Sequence, residues 1–167
     1  VMAAVANYGG ALEYAAAPLK ADREVVVAAV MQDGGALQEA AAPLKADREV
    51  VMAAVTNYGG ALAHAAAPLK ADAELQLLKA RHGTAAEALA VVRSLKERSD
   101  WQDREELVDR AVELLAVFPT SRTAPNVLHQ RLHDTVEGMV KRIAEPDTGP
   151  AAKRWRVAFE EDFGVPW

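Results

Sequence analysis

The sequence contains no cysteine, which excludes disulfide bonds, thiolate metal sites and cysteine nucleophiles from its 167 residues. It also lacks an apolar run near the ~18 residues that a membrane-spanning helix requires. No signal peptide or transit peptide is recognisable at its start. The chain begins at Val1 without a methionine, inside a repeat. We therefore expect either that a leader has been removed or that these residues are part of a longer protein.

An excess of basic charge is absent as well. The chain carries 19 Lys and Arg against 24 Asp and Glu, a net charge of −5. Residues 1–75 contribute −4 and residues 76–167 contribute −1, so neither part is basic. Binding of nucleic acid by counterion release depends on a basic surface. We therefore expect no nucleic-acid partner. An RNA-binding repeat protein stays an alternative that salt-dependent binding would reveal.

The sequence does contain a 25-residue repeat. Its three copies occupy residues 1–25, 26–50 and 51–75, and 17 of the 25 positions are identical in all three. Apolar residues make up 51% of the chain, which is enough for a hydrophobic core. Self-similarity at a short fixed period is typical of a solenoid, in which each unit packs on its neighbours.

Each repeat is predicted to form two short helices. An Asp that precedes the first helix in each copy is a natural N-cap, because its carboxylate accepts the free amide groups of the first turn. In the second copy, the pair Gly34-Gly35 is predicted to end the first helix and to supply its left-handed residue, and Pro43 is predicted to end the second helix. A leucine-rich repeat with a strand is the alternative, but the Asp caps, the alanine content and the missing Leu and Asn spacing favour helices.

The first helix of each repeat is apolar on almost all sides, which indicates burial between neighbours. The first copy begins in the middle of this helix, with no polar capping repeat before it. We expect the apolar face of the first copy to be covered by further sequence, by the C-terminal segment or by another protein.

A known family shares this pattern. Asp22–Ala40 reads D-R-E-V-V-x-A-A-V-x-x-x-G-x-A-L-x-x-A, and Asp47–Ala65 reads the same. These residues resemble the tandem helical repeat called domain of unknown function 4116, over residues 1–75. The resemblance implies a small helical fold and carries no known activity or site residues. It also implies an algal or protist source, where such chains occur in organelle assemblies.

Residues 76–167 lack the 25-residue period but carry helical patterns. Capping residues and apolar spacing predict helices over 84–98, 99–118, 125–143 and 151–163, with a linker near 145–150 and an apolar tail at 164–167. We therefore predict an all-α fold, in which a solenoid of three two-helix units (1–75) is followed by a non-repeat helical segment (76–167).

No pattern in the sequence indicates a catalytic, cofactor or metal site. His129 and His133 lie four residues apart on a predicted helix, but a third ligand is missing, so we expect a solvated helix face. Alternating acids and bases at 103–110 are typical of a salt-bridged surface rather than of paired catalytic carboxylates. The basic cluster at 153–156 precedes three acids, as at the end of an amphipathic helix. An enzyme of unrecognised type is the less favoured alternative.

Candidate partner-binding residues come from the positions at which the repeats differ. Repeat proteins vary the residues that they display and keep those that they pack, although drift at exposed positions is an alternative reading. These positions flank the Gly-Gly pair and hold all three tyrosines, which offer a large contact area at low entropic cost. Two tryptophans near the C-terminus complete the set. The candidates are Tyr8, Tyr14, Tyr58, His64, Trp155 and Trp167.

These features predict a non-catalytic scaffold, linker or accessory subunit, without cofactors, that binds protein subunits of a larger assembly. The resemblance favours a peripheral subunit of a photosynthetic or respiratory complex in a plastid or mitochondrion.

Overall fold

The computed structural model describes residues 2–98, 105–119, 126–144, 155 and 157. The chain divides into two compact units, Val1–His82 and Gly83–Trp167. The described residues contain helices and no strand, so the predicted all-α fold is confirmed. With η for a 3-10 helix, the elements are α1 (Met2–Asn7), η1 (Gly9–Tyr14), α2 (Ala17–Lys20), α3 (Arg23–Gln32), η2 (Gly34–Glu39), α4 (Ala42–Lys45), α5 (Arg48–Asn57), η3 (Gly59–His64), α6 (Ala67–Lys70), α7 (Ala73–Ala80), α8 (Ala85–Glu97), α9 (Glu105–Val117) and α10 (Val127–Ala144).

The long helix of each repeat begins at the predicted cap. Asp22, Asp47 and Asp72 each have extended backbone, and each Oδ1 accepts the amides two and three residues ahead at 2.9–3.3 Å. These bonds satisfy amides that the helix itself leaves without acceptors. The N-cap prediction is therefore confirmed in all three copies.

The second half of each repeat is two short helices, where one was predicted. In the middle copy, η2 ends before Ala40 and Ala41, whose φ and ψ angles (−65° and 149°, −63° and 152°) are extended. The single turn α4 follows, and Pro43 lies in it near the N-terminus. Proline is tolerated there because the first amides of a helix have no acceptor in any case. The prediction that Pro43 ends a helix is wrong, since it helps to begin one.

The first glycine of each pair is needed for close packing and not for a left-handed turn. The backbone at both Gly34 and Gly35 is outside the positive-φ region, so the prediction of a left-handed residue in this pair is wrong. A Cβ atom at Gly34 would clash with the carbonyl oxygen of Ala54 and lie 2.9 Å from Cβ of Tyr58. Gly9 is placed in the same way, 2.5 Å from the Ala29 oxygen by the same construction. Each 3-10 helix therefore lies directly against the long helix of the next repeat.

Equivalent elements of successive repeats stack on each other. The long helices α1, α3, α5 and α7 pack in order, and η1, η2 and η3 form a second row. Backbone bonds also cross between units, from the Ala41 amide to the Lys20 oxygen at 2.9 Å and from the Ala66 amide to the Lys45 oxygen at 2.8 Å. The two compact units divide after His82, and not after residue 75, because α7 packs on α5 and η3 as the next layer.

Apolar side chains from both rows fill the core of the first unit. Each fully buried Val or Leu contributes about 1.5–3 kcal/mol relative to an exposed one. The residues with 0% exposure are Val5, Leu12, Val26, Ala29, Val30, Leu37, Val50, Val51, Ala54, Val55, Ala61 and Leu75.

In the second unit, α10 packs on both α8 and α9. The predicted capping box at Thr84 is confirmed, since its amide donates to Glu87 at 2.8 Å and its hydroxyl accepts the Glu87 amide at 3.3 Å. Asn126 caps α10 through its Oδ1. The predicted cap at Ser99, the linker near 145–150 and the tail at 164–167 lie outside the described residues. Of the predicted helix 151–163, Trp155 and Val157 are described and are helical.

Substitution of the two glycines of one pair separates their roles. We expect Gly34→Ala to destabilise the first unit by about 1–3 kcal/mol, because the added Cβ meets backbone that must shift. Gly35→Ala should be near neutral or slightly stabilising. Its Cβ would lie 3.1 Å from the Asp33 side chain, which can move more easily than backbone, and alanine lowers the entropy of the unfolded chain. Urea unfolding of both variants measures the difference, and equal effects would contradict this account.

Candidate functional site

Large apolar side chains remain exposed where each long helix turns into its 3-10 helix. Tyr8 is 68% exposed, Met31 64% and Tyr58 54%. Asp33 occupies the place of the two tyrosines in the middle repeat and is also exposed. Because η1, η2 and η3 stack in order, these positions follow one another along the array. We call Tyr8, Met31, Asp33 and Tyr58 the corner surface.

The second glycine of each pair supports the side chain at this corner. A Cβ atom at Gly10 would lie 2.7 Å from Cζ of Tyr8, and one at Gly60 would clash with the ring of Tyr58. Each tyrosine ring therefore rests against bare backbone on one side and still exposes more than half of its surface. A ring held in this way loses little further freedom on binding a partner.

Tyr14 and His64 lie at the other end of their 3-10 helices. Tyr14 is 83% exposed and His64 is half-buried. In the middle copy this position is Glu39, whose carboxylate pairs with Lys20 at 2.9 Å. At about 2.0 Å per residue, a six-residue 3-10 helix separates this position from the corner by roughly 12 Å. The predicted residues of the repeats thus fall into two groups.

Of the two C-terminal candidates, the structure describes Trp155. Trp155 is only 2% exposed, and its indole N–H donates to Asp109 Oδ1 at 2.7 Å. A side chain buried in its own unit is not available to a partner, so we leave Trp155 out of the candidate surface. Trp167 lies outside the described residues.

An arginine ladder between repeats was not foreseen from the sequence. Arg23 pairs with Asp47 Oδ2 at 3.3 Å and with Glu49. Arg48 repeats the arrangement one unit later, with Asp72 Oδ2 at 3.6 Å and with Glu74. The only signal in the sequence was the recurrence of Asp-Arg-Glu at a 25-residue interval.

The ladder shifts the pKa of two of its members, Asp47 and Arg48. The side-chain hydrogen bond to Glu74 is the main reason why the pKa of Arg48 is raised. Burial by itself raises the pKa of Asp47, but the Val50 amide, Arg23 and the Glu49 amide together outweigh it and lower that pKa. Both arginines of the repeats lie between acidic neighbours, so they do not form a basic stripe.

The two histidines of α10 have a structural role. His129 Nδ1 lies 2.8 Å from the Pro119 oxygen, and His133 Nε2 lies 3.2 Å from the Phe118 oxygen. Both contacts hold α10 against the end of α9. His133 is only 4% exposed, so the prediction of a solvated face is wrong for this residue. Burial, the largest effect, lowers the pKa of His133 despite the Phe118 oxygen and Asp134, which favour the cation.

Potential metal ligands and an open depression bear on small-molecule binding by the described residues. They contain no group of three His, Cys, Asp or Glu side chains that could hold a metal ion. An open depression of 210 Å³ lies beside Gly60, Leu62 and Ala63, with Lys70, Gln76 and Lys79 around it. Ligand pockets usually enclose about 300–1,000 Å³.

The repeat pattern agrees with a comparison against protein families. Residues 1–45 and 22–70 match one family model. It is described as a Domain of unknown function (DUF4116). The DUF4116 match confirms the resemblance over residues 1–70, a segment of the chain that contains the corner surface and both arginines of the ladder. No curated protein and no solved structure matched the chain.

None of the helices in the described ranges is both long enough and apolar enough to cross a bilayer.

The arginine ladder can be tested at its two steps. We expect Arg48→Ala to destabilise the first unit by about 1–3 kcal/mol, because Glu74, whose side chain is 10% exposed, loses its cation. Arg23→Ala should cost less than about 1 kcal/mol, since its partner Glu49 is 80% exposed. Chemical unfolding of the two variants compares them directly, and the reverse order would contradict the role of burial.

His133 should make the second unit sensitive to acid. Its neutral form is favoured in the folded state, so its contribution is complete above the ordinary imidazole pKa of about 6.5. As the pH falls below that value, the unfolded chain binds the proton more readily, and stability falls until the lower folded-state pKa is reached. Thermal unfolding followed by fluorescence reports on this unit, because all three tryptophans, Trp101, Trp155 and Trp167, belong to it.

His133→Gln keeps a donor for the Phe118 oxygen and removes the titration. We expect this variant to lose most of the change in melting temperature between pH 7 and pH 5. His129→Gln is the matched control and should keep the change. An unaltered pH dependence in His133→Gln would show that another group is responsible.

Proposed function

We propose that this protein is a non-catalytic scaffold or accessory subunit that binds another protein through the corner surface. The observation that carries the proposal is the exposure of Tyr8, Met31 and Tyr58 on an array whose other large side chains are mostly buried. Neighbouring exposed aromatic and Met side chains are typical of protein interfaces, whereas scattered apolar side chains are ordinary.

The division between fixed and variable positions supports this function. Positions that stack the units, such as the first glycine and the Asp cap, are the same in all three copies. The corner positions differ between the copies. Tyr8, Asp33 and Tyr58 occupy one equivalent position, and Met31 belongs to a second position that also differs. The array can therefore keep its packing while it presents a surface that is specific to its partner.

The chemistry of the corner surface favours an apolar partner with a hydrogen-bond donor or cation near its centre. The two tyrosine rings offer flat apolar area, and their hydroxyls can form hydrogen bonds with polar groups of a partner. Asp33 lies between them in the order of the repeats, and its Oδ1 accepts the Gly35 amide at 2.9 Å. Its exposed carboxylate is suited to a partner's Lys, Arg or amide group.

Nucleic acid is a less suitable partner for this surface. Lys20 is paired with Glu39, Arg23 with Asp47 and Glu49, and Arg48 with Asp72 and Glu74. The first 75 residues also carry a net charge of −4. Phosphate binding requires cations that are free to displace counterions, so we do not propose RNA binding.

The DUF4116 resemblance is the only support for a proposal about the place of this protein in the cell. We propose a peripheral position in an organellar photosynthetic or respiratory assembly. Native electrophoresis of a mild extract should then show the protein in a band far heavier than its 17.9 kDa mass. Recovery only as a stable 17.9 kDa monomer would contradict the proposal.

Photo-crosslinking at the corner surface tests the binding itself. We expect a benzophenone amino acid at position 8 of the full chain to form an adduct with one partner protein in the native extract. The same group at position 58 should form an adduct with that same partner. The same group at exposed Ala46, outside the corner surface, is the control. Adducts with RNA, or no adduct enriched over the Ala46 control, would refute the proposed surface.

Truncation of the tyrosines should weaken binding without unfolding the array. We expect Tyr8→Ala and Tyr58→Ala each to lower affinity for the crosslinked partner about 5–30-fold, because buried aromatic anchors commonly contribute 1–2 kcal/mol or more. The melting temperature should change little, since both rings are mostly exposed. Glu13→Ala, an exposed change on η1, is the control. Loss of affinity that tracks loss of stability would contradict a direct contact.

A further inference from the structure

The spacing of the corner residues restricts the kind of partner segment that can bind along them. Tyr8, Asp33 and Tyr58 occupy the same position in successive repeats and have nearly the same backbone angles. We call these three residues the corner row. The long helices that precede them pack in order, and packed helices lie about 8–10 Å apart. The two tyrosines of the row are therefore separated by roughly 16–20 Å, with Asp33 between them.

The exposure of this part of the surface does not depend on the end of the array. Met31 is 64% exposed although α3, which carries it, packs on both α1 and α5. Tyr58 is 54% exposed although α5, which ends beside it, packs on both α3 and α7. Neighbouring layers thus leave these side chains open, and the corner row lies on an outward surface of the stacked repeats.

The backbone of the corner row is already hydrogen-bonded within the array. In each copy, the amide of the corner residue donates to the carbonyl oxygen four residues earlier at 2.8–2.9 Å. Its own carbonyl oxygen accepts the amide three residues later at 2.9–3.0 Å. A partner in an extended conformation binds mainly by pairing its backbone with free backbone groups, and none of these three amides is free. An α-helix satisfies its own backbone and needs only side chains to contact.

The length of the corner row also matches the repeat of an α-helix. Eleven residues of a helix rise about 16.5 Å and fourteen rise about 21 Å, and both intervals return to nearly the same face. One face of a helix that lies along the array can therefore contact both tyrosines. An extended segment rises about 3.3 Å per residue and would cover the same distance in about five or six residues.

The chemistry of the corner row changes from layer to layer. The rings of Tyr8 and Tyr58 offer contact area to apolar side chains. Asp33 is exposed, and among the residues that the structure describes no Lys or Arg forms an ion pair with it. A carboxylate of this kind is complementary to a Lys or Arg of a partner. The row is thus suited to a segment with a basic residue between two apolar ones.

We propose that the corner row binds an amphipathic α-helix of a partner protein, which lies along the array with a Lys or Arg on Asp33 and an apolar side chain on each tyrosine. The two apolar residues are about 11 or 14 positions apart in the partner's sequence, with the basic residue near the middle. This inference rests on the proposed function, because it specifies the segment that the same surface binds.

The positions of the crosslinks in the partner's sequence test this inference. The full chain carries benzophenone at position 8 in one preparation and at position 58 in another, and mass spectrometry of the digested adducts locates each crosslinked residue. We expect both adducts in one continuous segment of one protein, about 10–15 residues apart, with a Lys or Arg between them. Benzophenone at position 46 gives the background.

A second measurement concerns the charge at the centre of the corner row. Asp33→Asn keeps a side-chain oxygen that can accept the Gly35 amide and removes the charge. We expect this change to lower the yield of the adduct from position 8 by about threefold or more at low salt, because an ion pair across the interface is lost. Glu13→Gln removes an equal charge from an exposed residue of η1 outside the row and should leave the yield unchanged.

The outcomes separate this inference from the proposed function. Adducts in one partner that lie about five or six residues apart, that fall in separate segments, or that have no basic residue between them would overturn the helix proposal alone. Equal adduct yields from Asp33→Asn and the unsubstituted chain would do the same. If no adduct were enriched over position 46, both proposals would be overturned.

Discussion

The structure of the first unit depends on the close approach of each 3-10 helix to the next long helix. This approach is possible only because the first residue of the pair is glycine, as the contacts of Gly9 with Ala29 and of Gly34 with Ala54 show. At that spacing, the Ala41 amide reaches the Lys20 oxygen and the arginines reach the caps of the following helix. The hydrogen bonds and ion pairs therefore form because the glycines allow this close packing. They then fix the register of one repeat on the next.

Local signals predicted the helices well, because capping and apolar spacing act within one turn. The Asp caps and the Thr84 capping box are confirmed for this reason. Pro43 and Gly34 were assigned wrongly because their local rules are ambiguous. Proline suits the first turn of a helix as well as the residues after its end. The role of Gly34 is set by Ala54 of the next repeat, a contact that no local rule contains.

The candidate site could be predicted in part. Variation between aligned repeats located the exposed Tyr8, Tyr14 and Tyr58, because packing constrains the buried positions of a stacked unit more than the displayed ones. The second unit offers no such internal comparison. The burial of Trp155 against Asp109 and of His133 against Phe118 depends on contacts across 46 and 15 residues, and the sequence contains no second copy from which to infer them.

The corner position shows how packing and recognition are kept apart. Tyr8, Asp33 and Tyr58 have nearly the same backbone, with φ and ψ angles of −148° and 102°, −144° and 106°, and −140° and 109°. The carboxylate of Asp33 caps the 3-10 helix, whereas the tyrosines make no such bond, so the geometry does not depend on the cap. It depends instead on the close packing of the first glycine that follows against the next long helix. A side chain at this corner can therefore change with the partner, because the contacts that stack the units are made by its neighbours.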